Sequence, residues 1–327
     1  MSIPSYGIYH GDEDWVLKGI GQDLATALLS TGKASVSSTD QVFHGKRLPT
    51  DFHIFVQQGQ LNANCRFHNN QVPANTICLF THLDISNFSP KILGQCKAVV
   101  FNSSLQLSMA IANGYRPNNA ILLPHAVDPS LHNILKSSHP SFISLQQSLK
   151  EKNKPSAQHS YVGFCGRYWE KHTYTRRKNY DKIKKVAYSL ANNGIPVLIL
   201  GPGWSNLFAK SHPLITLITT KYRNYPLVYN LMKIFVSLSI HEGGPLPVLE
   251  SMCCGAYPII TNTGFAFDVL KGCDFGDLID PFYPSDKITR LISDRYHTLD
   301  TDIPSIREHA SQFSFANLAE KIISITH

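Results

Sequence analysis

The chain has 327 residues, of which 43% are hydrophobic and 16% charged, with a formal net charge of +7. This hydrophobic share is typical of a folded protein and excludes a largely disordered one. The sequence has no apolar run of about 18 residues and no basic, apolar start, so we expect neither a membrane span nor a secretory signal peptide.

The seven cysteines are scattered along the chain, and none of them forms a CxxC pair. This pattern argues against a disulfide scaffold and against a structural zinc site. We therefore expect a reducing compartment, and the sequence predicts a cytoplasmic protein.

The positive charge is concentrated in one segment. Residues 150–185 hold 11 Lys and Arg against 3 Asp and Glu, and the rest of the chain has a net charge of −1. A basic segment of this kind is typical of a solvated surface or of a surface that attracts a polyanion or an anionic membrane. The sequence alone leaves these alternatives open.

Short apolar runs alternate with amphipathic segments along the chain. The runs predict nine strands, at Ile54–Gln57, Thr76–Phe80, Ala98–Phe101, Ala120–Leu123, Tyr161–Cys165, Pro196–Leu200, Leu214–Thr219, Ile234–Ile240 and Tyr257–Thr261. Helices are predicted at Gly21–Leu29, Ser104–Asn113, Tyr180–Asn192, Leu227–Met232, Leu246–Cys254, Ile288–Ser293 and Phe313–Ile325. This alternation predicts an α/β protein with parallel sheets, in which ligands bind at the carboxyl ends of the strands.

A polar stretch divides the chain into two α/β halves. Residues Gln146–His159 contain few apolar side chains and are typical of a linker. We therefore predict a first domain over residues 1–150 and a second domain over 151–312. The last segment, 313–327, predicts a separate amphipathic helix that Ser314 caps.

The stretch VSLSIHEGGPLPVLESMCCGAYPIIT, residues 236–261, carries the strongest motif. It predicts a strand, a tight turn at Gly243 and Gly244, and a helix. Glycine lets the backbone approach a ligand closely, and the first N–H groups of a helix bind anions. Glu250 then lies about 6 Å further along the helix, which is about the offset from a diphosphate to the ribose of a nucleotide. The alternative is an ordinary helix start with a solvated glutamate.

The same stretch resembles the E-x7-E signature of the retaining glycosyltransferases of family 4, with Glu242 and Glu250 as its glutamates. Further segments follow in the order of that family: 98–128, VGFCGR at 162–167, RKNYD at 177–181, PVLILGPG at 196–203 and FSFANLAEKI near the end. One departure is His125-Ala126-Val127, where the family has Asn-Gly-Val. The resemblance covers about residues 76–327 and is strongest over 160–265.

The resemblance implies the GT-B fold. In that fold two Rossmann-like domains, each with a parallel sheet, face each other across a cleft. The C-terminal helix crosses back to the first domain. It also implies that Glu242 binds the donor sugar and Glu250 binds the ribose. The diphosphate is expected to be held by Gly243, Gly244 and Leu246.

Two cations complete the implied donor site. Arg167 and Lys178 would neutralise the departing diphosphate, which gains negative charge as the glycosidic bond breaks. The interval between them is longer than is usual in the family, so Arg176 and Arg177 are rivals of Lys178. The alternative is that Arg167 and Lys178 are two surface cations in a basic run.

Other candidates come from loops that the resemblance places near the donor. Gly203 and Tyr222 would flank the base, although an aromatic residue in a loop is often part of the core. His82 would face the reacting sugar or be an ordinary loop histidine. Gly19 and Gly21 belong to a Lys-Gly segment that is expected to be a loop near the phosphates, a pattern that also occurs by chance.

The function implied is retaining, metal-independent transfer of a sugar from a nucleotide sugar to a hydroxyl group. The acceptor would be a glycan, a lipid-linked glycan or a protein, at the inner face of the membrane or in the cytoplasm. Nucleic acid is not expected as a partner. A sugar-nucleotide epimerase, a non-catalytic polyanion-binding module and an inactive partner subunit are the alternatives.

Overall fold

The computed structural model describes residues 3–10, 16–81, 88–169, 174–208, 212–300 and 303–326. The chain packs into two compact units. The first unit comprises Met1–Ala126, Glu242–Gly244 and Phe313–His327; the second comprises Val127–His241 and Pro245–Gln312. The domain boundary expected between residues 150 and 151 stays a prediction.

The described residues form strands β1 (Ser5–Tyr9), β2 (Ser35–Thr39), β3 (Phe52–Phe55), β4 (Thr76–Phe80), β5 (Ala98–Phe101), β6 (Ala120–Leu122), β7 (Tyr161–Cys165), β8 (Val197–Leu200), β9 (Ile215–Ile218), β10 (Met232–Ser237), β11 (Tyr257–Thr261) and β12 (Asp277–Ile279). Helices are α1 (Val16–Ser30), α2 (Gln58–Phe67), α3 (Pro90–Leu93), α4 (Ser104–Ala112), α5 (Pro140–Glu151), α6 (Tyr174–Lys178), α7 (Tyr180–Asn192), α8 (Trp204–Leu207), α9 (Tyr225–Tyr229), α10 (Leu246–Cys253), α11 (Ala266–Leu270), α12 (Ser285–Thr298), α13 (Ile303–Ser311) and α14 (Phe315–Thr326). Among these helices, none is long and apolar enough to cross a membrane.

The first unit holds a parallel sheet whose strands lie in the order β2-β1-β3-β4-β5-β6. Its inner strands are buried apolar runs, as expected for a sheet covered on both faces. The terminal helix α14 packs on α1 of this unit. Tyr6 and Thr326 form a hydrogen bond of 2.6 Å between their hydroxyls, and the Ser314 hydroxyl accepts a hydrogen bond from the Asn317 N–H, as predicted for a cap.

The second unit holds another parallel sheet, in the order β12-β11-β10-β7-β8-β9. From β7 the chain adds β8 and β9 on one side, and it then returns to place β10 on the other side. The direction of strand order therefore reverses between β7 and β10. In open α/β sheets ligands bind at such a reversal, beyond the carboxyl ends of the strands.

The expected linker is partly helical. Residues up to Glu151 belong to α5, which buries Phe142 and Leu149 and contacts α9. The buried Asn230 holds the chain segment before α5 in place. Its side-chain amide donates to the Asn133 carbonyl and accepts from the Leu135 N–H, both at 2.8 Å. The sequence predicted a linker because the segment is mostly polar, and in α5 the buried side chains are those of Phe142 and Leu149 alone.

Two lysines of the basic segment are tied to backbone carbonyls. The Lys154 ammonium donates to the carbonyls of Pro213 and Ile215 at 2.6 and 3.0 Å, and Lys182 donates to those of Pro281 and Tyr283 at 2.7 and 3.0 Å. Partial burial lowers the pKa of both lysines. Part of the basic excess therefore serves packing, which neither the solvated-surface nor the membrane interpretation anticipated.

Candidate functional site

Three predicted site residues follow neighbouring strands of the second unit. Arg167 follows β7, Gly203 follows β8 and Tyr222 follows β9, and these strands are adjacent and parallel. Their carboxyl ends therefore lie at one edge of the sheet, beside the reversal between β7 and β10. The fold thus brings these three candidates to the edge where α/β proteins bind ligands.

Glu250 is buried in α10, with 3% of its surface exposed. Tyrosine hydroxyls hold both of its oxygens: Tyr222 donates to Oε1 at 2.6 Å and Tyr229 donates to Oε2 at 2.8 Å. Burying a carboxylate is costly unless hydrogen bonds compensate for the lost water. The two tyrosines therefore make this buried position tolerable, and the interpretation of Glu250 as a solvated glutamate is wrong.

Three side chains near Glu250, those of Tyr229, Tyr225 and Cys165, stay protonated at neutral pH. Burial, together with the charge of Glu250, raises the pKa of Tyr229 well above its usual value and that of Tyr225 to about 12. Burial also raises the pKa of the Cys165 thiol to about 12. The hydrogen bond between Cys165 Sγ and the Tyr229 hydroxyl and the charge of Lys178 oppose this rise, and the charge of Glu250 adds to it. At neutral pH the tyrosines are therefore donors, and Cys165 is a neutral thiol rather than a nucleophile.

Helix α10 begins at Leu246, as predicted. Pro245 and Pro247 have no N–H, and the Val248 N–H donates to the Pro245 carbonyl at 2.9 Å. Within this turn the Leu246 N–H is therefore the candidate donor to a ligand. The preceding Glu242–Gly244 is assigned to the first unit, and the Glu242 side chain is buried.

The predicted phosphate cations differ in their surroundings. Arg167 is exposed, and its guanidinium lies 4.4 Å from the centre of the Trp169 ring, a cation–π contact. Lys178 is half-buried at the end of α6 and acts electrostatically on Cys165. Arg176 is exposed, and the Arg177 carbonyl accepts from the Ile240 N–H at 2.8 Å.

Gly203 has a structural reason to be glycine. Its φ is +87°, and a Cβ there would collide with the carbonyl oxygen of Tyr168. The next residue, Trp204, is fully buried and donates from its indole N–H to the Gly166 carbonyl at 2.7 Å. Trp204 is therefore core, whereas Tyr222 is 52% exposed and follows β9 at the edge of the sheet.

The expected glycine loop in the first unit is wrong. Gly19 and Gly21 lie inside α1, which begins at Val16. A Cβ at Gly21 would come within 3.0 Å of the side chain of His10, the residue after β1, so a larger residue there would require His10 to shift. A Cβ at Gly19 would meet no atom within 4 Å. His82 lies outside the described residues.

We expect Gly19→Ala to raise the free energy of unfolding by about 0.5 to 1 kcal/mol, because alanine loses less entropy than glycine in a helix. Gly21→Ala should lower it, since His10 must move. Urea unfolding of both variants measures the difference. Donor binding by Gly19→Ala tests its implied role: unchanged affinity removes Gly19 from the donor site.

Two further residues surround Glu250 that the sequence did not single out for function. Tyr229 lies within the predicted helix Leu227–Met232, and the buried His132 lies outside every predicted element. A tyrosine one helix ahead of the glutamate strand is a weak signal, and His132 gives no local signal. Within the described residues, no three His, Cys, Asp or Glu side chains are grouped as a metal site.

Comparison with known proteins bears on the second unit in particular. Residues 150–302 match the model of the family described as glycosyl transferases group 1. The chain therefore carries a glycosyltransferase domain. This match confirms the prediction of a glycosyltransferase. A search of curated protein sequences finds no match to the chain.

Solved glycosyltransferase structures share the fold. HepE from Anabaena, in complex with UDP-glucose, has a TM-score of 0.71 at 14% identity, covering 99% of both chains. Sucrose-phosphate synthase from Thermosynechococcus elongatus has a TM-score of 0.74 at 12% identity, covering 99% of this chain and 98% of that one. The catalytic domain of starch synthase IV from Arabidopsis thaliana, bound to ADP and acarbose, has 0.72 at 11%, covering 99% of both. The predicted GT-B fold is confirmed.

Proposed function

We propose that this glycosyltransferase is a retaining, metal-independent enzyme of family 4 that transfers a sugar from a nucleoside diphosphate sugar to a hydroxyl acceptor. The observation that carries the proposal is the buried carboxylate of Glu250, held by two tyrosine hydroxyls beside the edge where strand order reverses. A carboxylate has about four acceptor sites. Two of them remain for the vicinal hydroxyls of a ribose.

The diphosphate would lie at the start of α10. The Leu246 N–H and the positive end of the helix favour an anion there, and Gly243 and Gly244 would add their N–H groups. Arg167 and Lys178 would supply the positive charge that the leaving diphosphate requires. The position of Lys178 beside Cys165 supports it over the exposed Arg176.

Glu242 would bind the donor sugar and His82 would face its reacting carbon. The acceptor hydroxyl would attack on the face from which the diphosphate leaves, with a donor phosphate oxygen as the base. Configuration at the anomeric carbon is then retained. The inert Cys165 thiol supports this mechanism, since it leaves no activated sulfur nucleophile at the edge of this sheet.

The relatives suggest where to look for the donor. HepE is in complex with UDP-glucose and the starch synthase with ADP, so uridine and adenosine diphosphate sugars are the first candidates. For the acceptor we propose a glycan, a lipid-linked glycan or a protein. All seven cysteines are free, which supports a cytoplasmic location; the exposed Lys150, Lys152 and Lys185 support contact with an anionic inner membrane face.

Incubation of the full chain with labelled UDP-, ADP- and GDP-sugars tests the proposal. We expect one donor to raise the melting temperature and to release free nucleoside diphosphate, in the presence of EDTA as well. Transfer to an acceptor should give a product with the donor's anomeric configuration. Conversion into a different sugar nucleotide would instead identify an epimerase, and no donor binding would refute the proposal.

Within this site we expect Lys178→Ala to weaken binding of the nucleoside diphosphate by about tenfold, the usual size of a lost hydrogen bond to a charged group. Arg176→Ala is the matched control, because it removes a neighbouring cation from the same short helix. Titration calorimetry at fixed salt measures both. The assignment of Lys178 is wrong if the two variants bind equally well.

A further inference from the structure

A buried histidine lies against the Glu250 site. His132 is 1% exposed, in the chain between β6 and α5. Its backbone position is fixed, because its N–H donates to the Asp128 carbonyl at 2.9 Å and the Asp128 carboxylate accepts from the Ser130 N–H at 2.8 Å. The loop therefore presents His132 in a defined place.

Both ring nitrogens of His132 are buried and have no hydrogen-bond partner among the described residues. The Nε2 atom lies 4.0 Å from Oε1 of Glu250, and the ring centre lies 5.8 Å from that of Tyr222 and 6.2 Å from that of Tyr229. A buried polar group without a partner is costly, whereas an apolar ring of the same shape would fill this space without that cost. An imidazole at this buried position therefore indicates a role for its ring nitrogens.

His132 and Tyr222 face the same oxygen of Glu250. The Tyr222 hydroxyl holds Oε1 at 2.6 Å, but the Tyr222 ring is half exposed at the edge of the sheet. A nucleoside stacked on that ring would displace the tyrosine, and Oε1 would then lose its Tyr222 donor. The Nε2 of His132 lies 4.0 Å from Oε1, so a movement of about 1 Å would bring it to hydrogen-bond distance.

We propose that His132 is a positioning residue for Glu250: its Nε2–H holds Oε1 when the nucleoside takes Tyr222, and so keeps the carboxylate aimed at the ribose. The inference rests on the proposed function, in which Glu250 binds the ribose hydroxyls. His132 acts through Glu250 and does not touch the sugar. The affinity that depends on it is therefore the part due to the ribose hydroxyls.

The experiment measures the affinity of the full chain for UDP, ADP and GDP and for their 2′-deoxy and 3′-deoxy analogues. In the wild type we expect the best ribonucleotide to bind about tenfold more tightly than at least one deoxy analogue. His132→Phe should remove most of that ratio by weakening the ribonucleotide alone. His132→Gln, which returns an N–H near the position of Nε2, should restore part of it.

The matched control is His139→Phe, an exposed histidine before α5, which should keep the wild-type ratio. If His132 only fills space, the His132→Phe variant also keeps the wild-type ratio of affinities, and that result overturns the inference. If the wild type binds none of the nucleotides, or if Glu250→Gln keeps the ratio, the proposed function itself fails.

A second measurement removes the dependence on the folding of a variant. In the wild type labelled with ¹⁵N-histidine, the Nε2 resonance of His132 should move to a hydrogen-bonded value when the ribonucleotide is added. It should move less with the weaker deoxy analogue at the same saturation. An Nε2 resonance that stays in place at saturation overturns the inference.

Discussion

Glu250→Gln is expected to weaken binding of the donor nucleotide by about 10- to 100-fold and to reduce sugar transfer at least as much. Hydrogen bonds to a charged group contribute about 1.5 to 3 kcal/mol, and each 1.4 kcal/mol corresponds to tenfold in affinity. Glutamine keeps the length and volume of the side chain. The loss would therefore come from the charge and from one acceptor oxygen.

The surroundings of Glu250 make this effect large. The carboxylate is buried, so little water screens its interactions. Tyr229 holds Oε2 at 2.8 Å and stays protonated, because burial raises its pKa well above the ordinary value. The carboxylate is thus held through Oε2 before a ligand arrives.

Tyr225→Phe is the matched control for this prediction. Tyr225 lies in the same aromatic cluster, with its ring centre 5.4 Å from that of Tyr222 and 6.1 Å from that of Tyr229. Its hydroxyl is removed without changing the charge at Glu250. Titration calorimetry and a transfer assay should show near wild-type values for Tyr225→Phe. Equal losses in both variants would mean that the loss is not specific to the Glu250 carboxylate.

The apolar strands of both sheets were predictable because they are continuous buried runs. Thr76–Phe80, Ala98–Phe101, Tyr161–Cys165 and Tyr257–Thr261 have the bounds that the sequence predicted. Such runs need no alternation, since parallel strands are covered on both faces. Local sequence was therefore sufficient for the centre of each fold unit.

The strands that the sequence missed lack such runs. β2 (SVSST) is an edge strand with mostly exposed polar side chains, and β12 has three residues at the other sheet's edge. β1 (SYGIY) is interrupted by Gly7, although its other side chains are largely buried. Their pairing comes from neighbouring strands, which a single segment does not reveal.

The site was predictable where a motif carries it and unpredictable where distant segments meet. Glu250 follows from the Gly-Gly turn and the helix start. Tyr229 and His132 reach it only through folding, from different segments of the second unit. No periodicity or spacing marks His132, because the carboxylate and the tyrosine rings around its side chain come from distant segments.

Gly201→Ala should destabilise the second unit by about 2 to 6 kcal/mol. Gly201 follows β8 with a φ of +126°, a conformation that costs other residues about 1 to 3 kcal/mol. A Cβ would also collide with the Gly166 carbonyl oxygen, and overpacking costs about a further 1 to 3 kcal/mol. Total stabilities of about 5 to 15 kcal/mol make this a severe loss.

Gly194→Ala separates these two causes. Gly194 has a φ of +81° at the end of α7, and a Cβ there would meet no atom within 4 Å. We expect it to lose only about 1 to 2 kcal/mol, the cost of the left-handed conformation. Urea unfolding followed by tryptophan fluorescence reports on this unit, because the buried Trp204 lies three residues after Gly201. Equal losses would mean that the collision is relieved by movement of the loop.

The Gly201 variant also links stability to the site. Two hydrogen bonds tie the loop after β7 to the loop after β8: the Gly166 N–H donates to the Leu200 carbonyl and the Tyr168 N–H donates to the Pro202 carbonyl, both at 3.0 Å. An alanine at 201 pushes the Gly166 carbonyl away and therefore moves Arg167. Folded Gly201→Ala should bind the nucleoside diphosphate more weakly than Gly194→Ala does. Calorimetry below the melting temperature of both variants would show this, and equal affinity would mean that Arg167 is placed independently of this contact.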